Sequence, residues 1–557
     1  MTRIAGKHAL VELLREEGVE YVFGIPGATE IQFMDALEEA PDIHYILGLH
    51  EVVCAGMAEG YARASGKPGF LNLHTAPGLA AATPLLYNAQ LGRVPLVVTV
   101  GQNDTRLLQY DPHLTGDIVG IGKPHTKWST EIVHAEDLPT VIRRAFKMAV
   151  QPPTGPVLVS IPQDVLAREF EFDGTPNTRV YARLRPDTAA LGRALEILSE
   201  ATRPLLLVES GVSRCDAVRE VVEFAELTGC RVYQAWMSDV NFPVTHPQYL
   251  GDLDPTGPGA LDILEDVDVL VGIGCSLFAQ GFFNPEAPAL SGKRILHIDD
   301  DPWELGKNLP TDCAIQGDIK AVLAELNLSL AASLPGDARA LAEQRRQVIA
   351  SEKAALRFAL QARWDSERDR MPIAISRLMT EIKSVTSPTT VIVDESWSSS
   401  QTLRQILDLS RPGSFFRSRK GGSIGWGLPG ALGVKLGRPH DDVIAVVGDG
   451  SAAWSMQSLW TAARYGIPVT FVITNNATYR QVKLVRRAVL GDYPLGEKHL
   501  GMELDSPVMD FSLMARSMGI KGERITRPDG LHAALSDAVG SGEPRLLEVI
   551  VESGAWT

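Results

Sequence analysis

The segment DDVIAVVGDGSAAWSMQSLWTAARYGIPVTFVITNNATY, residues 441–479, decides the fold. VIAVV is a short continuous apolar run, the pattern of a strand buried on both faces of a parallel sheet. GDG makes a sharp exit, and SAAWSMQSLWTAARYG reads as a helix with Trp454, Leu459 and Ala463 on its inward stripe. GIP closes that helix and VTFVITN is the next strand. The result is one βαβ unit, and open α/β sheets bind ligands at the carboxyl ends of their strands. Asp449 and Asn476 both fall at such ends.

Asp449 offers a carboxylate oxygen, Asn476 an amide oxygen, and the Ala477–Thr478 segment a backbone carbonyl. An all-oxygen set of this kind suits Mg²⁺ or Ca²⁺, with diphosphate oxygens and a water completing an octahedron. Gly448 and Gly450 permit a tight turn and a close approach to phosphate, and Ser451 opens a helix whose free N–H groups favour an anion. GDGSAAW is neither GxGxxG nor followed by a Walker lysine. Taken singly, GDG and NN are ordinary turns; their placement across one βαβ unit favours a site.

Working outward, the same alternation recurs. YVFGI, YILGL, GFLNLHT, VPLVVTV and PVLVSIP lie in the first third; PLLLVESG, RVYQAW, VDVLVGIG and RILHIDDD in the middle; TTVIVDES and PRLLEVIVES in the last. Helix-like stretches separate them, so the fold class is α/β, with three domains that are each a mainly parallel sheet flanked by helices. The expected boundaries are 1–182, 190–345 and 365–557. EFEFDGTPNTRVYARLRP reads as a polar extended connector, and AASLPGDARALAEQRRQVIASEKAALRF as a bridge whose second half is helical.

Composition limits the alternatives. The 557 residues carry 53 Lys plus Arg against 68 Asp plus Glu, a formal charge of −15, which disfavours nucleic acid or an anionic membrane as partner. Five cysteines, Cys54, Cys215, Cys230, Cys275 and Cys313, show no metal-ligand spacing and read as free thiols in a reducing, cytoplasmic setting. The N-terminal MTRIAGKHALVELLREEG has no apolar signal core, and no charge-free apolar run reaches the length of a membrane span.

GDG followed 28 positions later by NN resembles the thiamine diphosphate motif of the decarboxylase/acetolactate synthase superfamily. FGIPGATE (23–30), LHEVVCAGMAEGYARASGKPG, LNLHTAPG, PLVVTVGQ and GGSIGWGLPGALG extend the likeness over practically the whole chain, most like benzoylformate decarboxylase. That resemblance implies thiamine diphosphate and Mg²⁺ as cofactors, with Asp449, Asn476 and Thr478 at the metal. It implies active sites at a homodimer interface, commonly in homotetramers. By resemblance Glu51 is the glutamate that hydrogen-bonds the aminopyrimidine ring and promotes its imino tautomer; helix capping is its plain alternative. Ile424 becomes the wedge that bends the cofactor and Gly422 a backbone acceptor. Glu395, Ser396 and Ser398 line the diphosphate side, with Gly448, Gly450, Ser451, Thr478 and Tyr479.

The implied reaction is non-oxidative decarboxylation of a small 2-keto acid to an aldehyde through a thiamine-bound enamine, with carboligation to 2-hydroxy ketones as a further fate. Acetolactate synthase-like or 2-hydroxyacyl-CoA lyase-like chemistry is the enzymatic alternative, and a silent cofactor-binding assembly protein the non-enzymatic one. His74 would orient substrate and relay protons, with a structural hydrogen-bonding role as its plain alternative; His113 would add a second imidazole from a pocket loop that also holds Gln109 and Tyr110, or is a surface histidine. Two positions depart from benzoylformate decarboxylase: Ala28 stands where that enzyme has a serine, and Gly281 where it has a second histidine. RSRK (417–420) and RQVKLVRR (480–487) read as solvated faces or, through Arg480 and Lys483, as counter-charge for an anionic substrate tail.

Overall fold

In the computed structural model, residues 2–174, 183–253, 259–278, 290, 292–418, 420–491 and 494–553 are described. The first domain runs through β1 (Thr2–Ala5), β2 (Tyr21–Gly24), β3 (His44–Leu47), β4 (Gly69–Leu73), β5 (Leu96–Gln102), β6 (Trp128–Glu131), β7 (Val157–Pro162) and β8 (Glu169–Phe172). The middle domain holds β9 (Pro204–Val208), β10 (Arg231–Ala235), β11 (Tyr249–Leu253), β12 (Val269–Ile273), β13 (Arg294–Asp299) and β14 (Cys313–Gln316). The last holds β15 (Val391–Glu395), β16 (Phe415–Arg417), β17 (Val443–Gly448), β18 (Val469–Asn475), β19 (Lys521–Ile525) and β20 (Arg545–Ile550).

Each domain is built on a parallel sheet of six strands, ordered β3-β2-β4-β5-β7-β6, β11-β10-β9-β12-β13-β14 and β16-β15-β17-β18-β20-β19. The central strands β4, β5, β7, β9, β12, β15 and β18 are buried along their full length, which is why their sequences are mainly apolar on both faces, with only scattered buried polar residues such as Asn72, Thr99 and Ser160. Strands without such a run, β6, β11, β14, β16 and β19, all lie at sheet edges. An edge strand meets one neighbour and tolerates polar residues, as WSTE and KGERI show. Part of the polar connector pairs too: Thr2–Ala5 runs antiparallel to Glu169–Phe172.

Two expectations change. The single helix after GDG is instead Asp449–Ala452 and Ser458–Tyr465, joined by tighter turns in which Trp454 N–H donates to the Ser451 carbonyl and Ser458 N–H to that of Ser455. Tightening shifts the helical phase. Leu459 stays buried, whereas Trp454 swings out to 53% exposure. The bridge is helical from Gly336 to Ser366, not in its second half alone.

Helix Glu51–Ser65 of the first domain lies against helix Gly427–Gly437 of the last at backbone contact. A Cβ on Gly60 would stand 2.1 Å from the Gly430 carbonyl oxygen, and one on Gly433 2.0 Å from that of Met57. Arg63 ties all three domains: its guanidinium meets Glu59 at 3.2 Å, Asp239 at 2.8 Å and the Arg417 carbonyl at 2.7 Å, and it lies over the Trp426 ring.

Candidate active site

Because β3, β2, β4 and β5 are adjacent and parallel, their carboxyl ends converge. Glu51 opens the helix after β3, His74 leaves β4, Thr29 and Glu30 follow β2, and the loop carrying Gln109, Tyr110 and His113 follows β5. The cap of the Glu51 helix is made by its neighbour: the Val52 N–H donates to His50 Nδ1 at 3.1 Å. Glu51 is therefore released from capping, and its half-buried carboxylate accepts no hydrogen bond from any described residue. A Cβ on Gly78 would stand 3.4 Å from Glu51 Oε1 and 3.7 Å from His74 Cβ, so these two side chains share one wall.

His74 is held from behind, with Nδ1 2.8 Å from Glu30 Oε2 and 3.0 Å from Thr29 Oγ1. Gly116 packs on Ala76, which lays the 103–117 loop over the start of helix Thr75–Leu91. On that loop Gln109, Tyr110 and His113 are exposed, as is Ala28 nearby. Gly281 lies outside the described residues.

The second half of the site forms where β15, β17 and β18 end side by side. Asp449 is buried; Oδ1 accepts from Gly450 N–H at 2.8 Å and Oδ2 from Asn476 N–H at 3.2 Å. Burial raises its carboxyl to about 6, against the pull of backbone N–H groups of Gly450, Ala477, Asn476 and Thr478. Asn476 Oδ1 accepts from Thr478 N–H at 3.1 Å, and Ser451 is buried on the same turn. Gly450 makes its close approach to the Tyr479 ring, where a Cβ would stand 2.4 Å from Cε1, while the same test at Gly448 meets nothing nearer than 3.7 Å. Gly448 thus faces open space at the strand end.

Glu395 turns away from that opening and accepts backbone N–H groups of Gly425 (3.2 Å), Trp426 (3.2 Å) and Gly427 (2.7 Å). It holds the 421–426 loop in place. Burial pushes its carboxyl up to about 8, opposed by those three donors. Ser396 is buried and donates both N–H and Oγ–H to Asp394 Oδ1, whereas Ser398 is half-buried. Gly422, at φ +72°, has open space around it, and Ile424 is half-buried beside it. Asn88 of the first domain clamps this loop, donating to the Ser423 carbonyl at 2.8 Å and accepting Ser423 N–H at 3.1 Å.

Arg480 and Lys483 are buried, which overturns the solvated-face reading of 480–487 at these two positions. Lys483 Nζ is engaged by Glu503 at 2.8 Å and the Glu497 carbonyl at 3.0 Å. Three non-glycine residues with left-handed backbone, Thr75 (φ 47°), Trp397 (φ 46°) and Ala477 (φ 54°), follow β4, β15 and β18, so each half-site has strained backbone at a strand exit. Sequence reasoning missed Glu30, Thr29 and Asn88. Glu30 had a signal, an acid three residues after the strand-end Pro26-Gly27 turn in FGIPGATE; Asn88 had none.

Residues 4–125 match the thiamine pyrophosphate enzyme N-terminal TPP binding domain, 191–326 the central domain and 398–549 the C-terminal TPP binding domain. The chain is 32% identical to benzoylformate decarboxylase of Pseudomonas aeruginosa, over 97% of this chain and 98% of that one. It belongs to the thiamine pyrophosphate enzyme family. This family member is also 30% identical to the acetolactate synthase large subunit of Haemophilus influenzae, over 97% of this chain and 92% of that one. It matches the structure of a thiamine diphosphate-dependent 4-hydroxybenzoylformate decarboxylase of Rhodococcus jostii with a TM-score of 0.86 at 28% identity, each chain covered to 99%.

The residues present fit the cofactor of a thiamine pyrophosphate enzyme. Asp449 and Asn476 use one lone pair per bonded oxygen on backbone N–H groups and keep others for a cation. Among the described residues no cluster of three His, Cys, Asp or Glu is present, so a cation here would rest on one carboxylate and neutral oxygens, the pattern of diphosphate-bridging Mg²⁺.

Proposed function

We propose that this thiamine pyrophosphate enzyme decarboxylates a small 2-keto acid non-oxidatively and releases an aldehyde. What carries the reading is the shared wall of Glu51 and His74: a carboxylate released from its helix cap beside an imidazole pinned through Nδ1. Bound thiamine diphosphate supplies the electron sink that loss of CO₂ from a 2-keto acid requires. Glu51 holds a proton against the aminopyrimidine ring. Asp449, Asn476 and the carbonyls of 477–478 would hold Mg²⁺, and the open backbone at Gly448 would leave room for the diphosphate beside Ser451. Gly422, through its backbone, and Ile424, through its apolar side chain, would hold the cofactor's rings. His74 Nε2 delivers the proton that product release needs, the step separating aldehyde formation from ligation to a second carbonyl.

The substrate pocket favours a keto acid with an uncharged side chain. Ala28 and the exposed Leu107, Tyr110 and Leu114 supply an apolar wall, with His113 and Gln109 at its edge. Lys483 is occupied by Glu503 and offers no counter-charge to a second carboxylate. Within the chain no hydrogen bond or ion pair joins Glu51 to Asp449, and Leu49 (47%) and Trp454 (53%) expose apolar surface next to the two half-sites. Both observations support completion of each site by a second copy, as a homodimer or a dimer of such dimers.

The deciding experiment incubates the Mg²⁺- and thiamine diphosphate-loaded protein with pyruvate and with benzoylformate and measures CO₂, aldehyde and 2-hydroxy ketone. Aldehyde as main product is expected. Hydroxy ketone as main product would move the assignment to the synthase-like alternative, and no CO₂ from either acid would defeat it.

A further inference from the structure

The buried carboxylate of Glu30 occupies a position that only its neighbours make available. It is 2% exposed. A Cβ on Gly101 would stand 1.9 Å from Glu30 Oε1, and one on Gly27 would stand 2.2 Å from the His74 ring. Two glycines on adjoining segments therefore leave the space in which a carboxylate and an imidazole meet.

With Glu30 as a carboxylate, proton counting at this contact has one solution. Thr29 Oγ1 lies 2.6 Å from Glu30 Oε1 and is its donor, which spends the single hydroxyl hydrogen of Thr29. At 3.0 Å from His74 Nδ1 the same oxygen can then only accept. Glu30 Oε2 also receives the Gly27 N–H at 2.9 Å and lies 2.8 Å from Nδ1. Both neighbours of Nδ1 are acceptors, so Nδ1 carries hydrogen and the neutral ring keeps its lone pair on Nε2. Nε2 has no partner among the described residues and His74 is 21% exposed, so this nitrogen addresses the cleft beside Glu51.

We propose that Glu30, braced by Thr29 and Gly27, is a positioning residue that holds His74 in the Nδ1–H tautomer with Nε2 free to take and return a proton in the site. Glu30 touches neither substrate nor cofactor and acts through the imidazole. The inference deepens the proposed function, in which His74 moves the product proton. In the neutral ring, Nε2 accepts a proton from water or a bound acid to give the imidazolium, then passes it to carbon and returns to the Nδ1–H form.

The test has two independent readouts. Holoenzyme labelled with ¹⁵N-histidine, its His74 signals identified among the 12 histidines by difference with H74Q, reports protonation of each ring nitrogen directly. The expected wild-type pattern is a protonated Nδ1 and a bare Nε2, with E30Q or T29V populating both tautomers. A bare Nδ1 in the wild type would overturn the proposal without any variant and whatever substrate the enzyme uses. In the second readout, decarboxylation by E30Q should lose about tenfold or more in kcat with KM held within about threefold. On an H74A background E30Q should then cost nothing further. An undiminished E30Q penalty in that background means Glu30 acts elsewhere and overturns the proposal. Absence of keto acid turnover in the wild type would refute the proposed function alone, leaving the nitrogen signals to decide the role of Glu30.

Discussion

Replacing Glu51 by Gln separates a structural acid from a chemical one. In the structure the orphan N–H of Val52 is taken by His50 Nδ1 at 3.1 Å, so removing the Glu51 charge opens no cap. What remains is the interaction of a half-buried charge with the helix N-terminus, about 0.3–1 kcal/mol. The urea unfolding free energy of E51Q should therefore fall by no more than about 1 kcal/mol, and thiamine diphosphate affinity should stay close to wild type. Proton exchange at thiazolium C2, followed by quenched deuterium exchange and NMR on loaded protein, should slow by about 10²–10⁴-fold, the range lost with a positioned acid–base group. Exchange within about threefold of wild type would refute the catalytic reading. A stability loss above about 2 kcal/mol would show that Glu51 holds the helix after all, contrary to the geometry of His50.

Gly433→Ala should destabilise the protein by about 1–3 kcal/mol or more, since its methyl group would stand 2.0 Å from the Met57 carbonyl oxygen; an unchanged unfolding midpoint would mean the two helices are not in backbone contact. Glu395 is pushed up to about 8 in the folded protein against an ordinary value of 4.5, so between these pH values the native state holds a proton that the unfolded chain has lost. Its contribution to stability is accordingly greatest below about 4.5 and declines as pH rises to about 8. Denaturation curves across that window should show the decline, and E395Q should flatten it. Lys483→Met should lower the melting temperature by removing the partner of Glu503, while leaving KM for a monocarboxylic keto acid within about twofold. A large KM increase would restore Lys483 to the substrate pocket.

Residues that the chain reveals by themselves are those whose surroundings are local. VIAVV, VTFVITN and VDVLVGIG read as central parallel strands because a strand covered on both faces carries apolar residues at consecutive positions, as VIAVV, FVI and VLV do, and GDG and NN then fell at strand ends by connectivity alone. Glu51 was legible as an acid out of place in an apolar helix, though not the fact that His50 relieves it of capping. Edge strands such as WSTE stayed hidden because a strand with one neighbour tolerates polar residues that break the apolar run. The phase slip that exposes Trp454, the burial of Arg480 and Lys483 within a basic stretch, the Asn88 clamp and the Glu30–His74 contact needed the tertiary structure. Each depends on which segments, dozens to hundreds of residues apart, are brought within hydrogen-bonding or van der Waals distance. Periodicity carries no information about that, and only the closed packing of sheets and helices decides it.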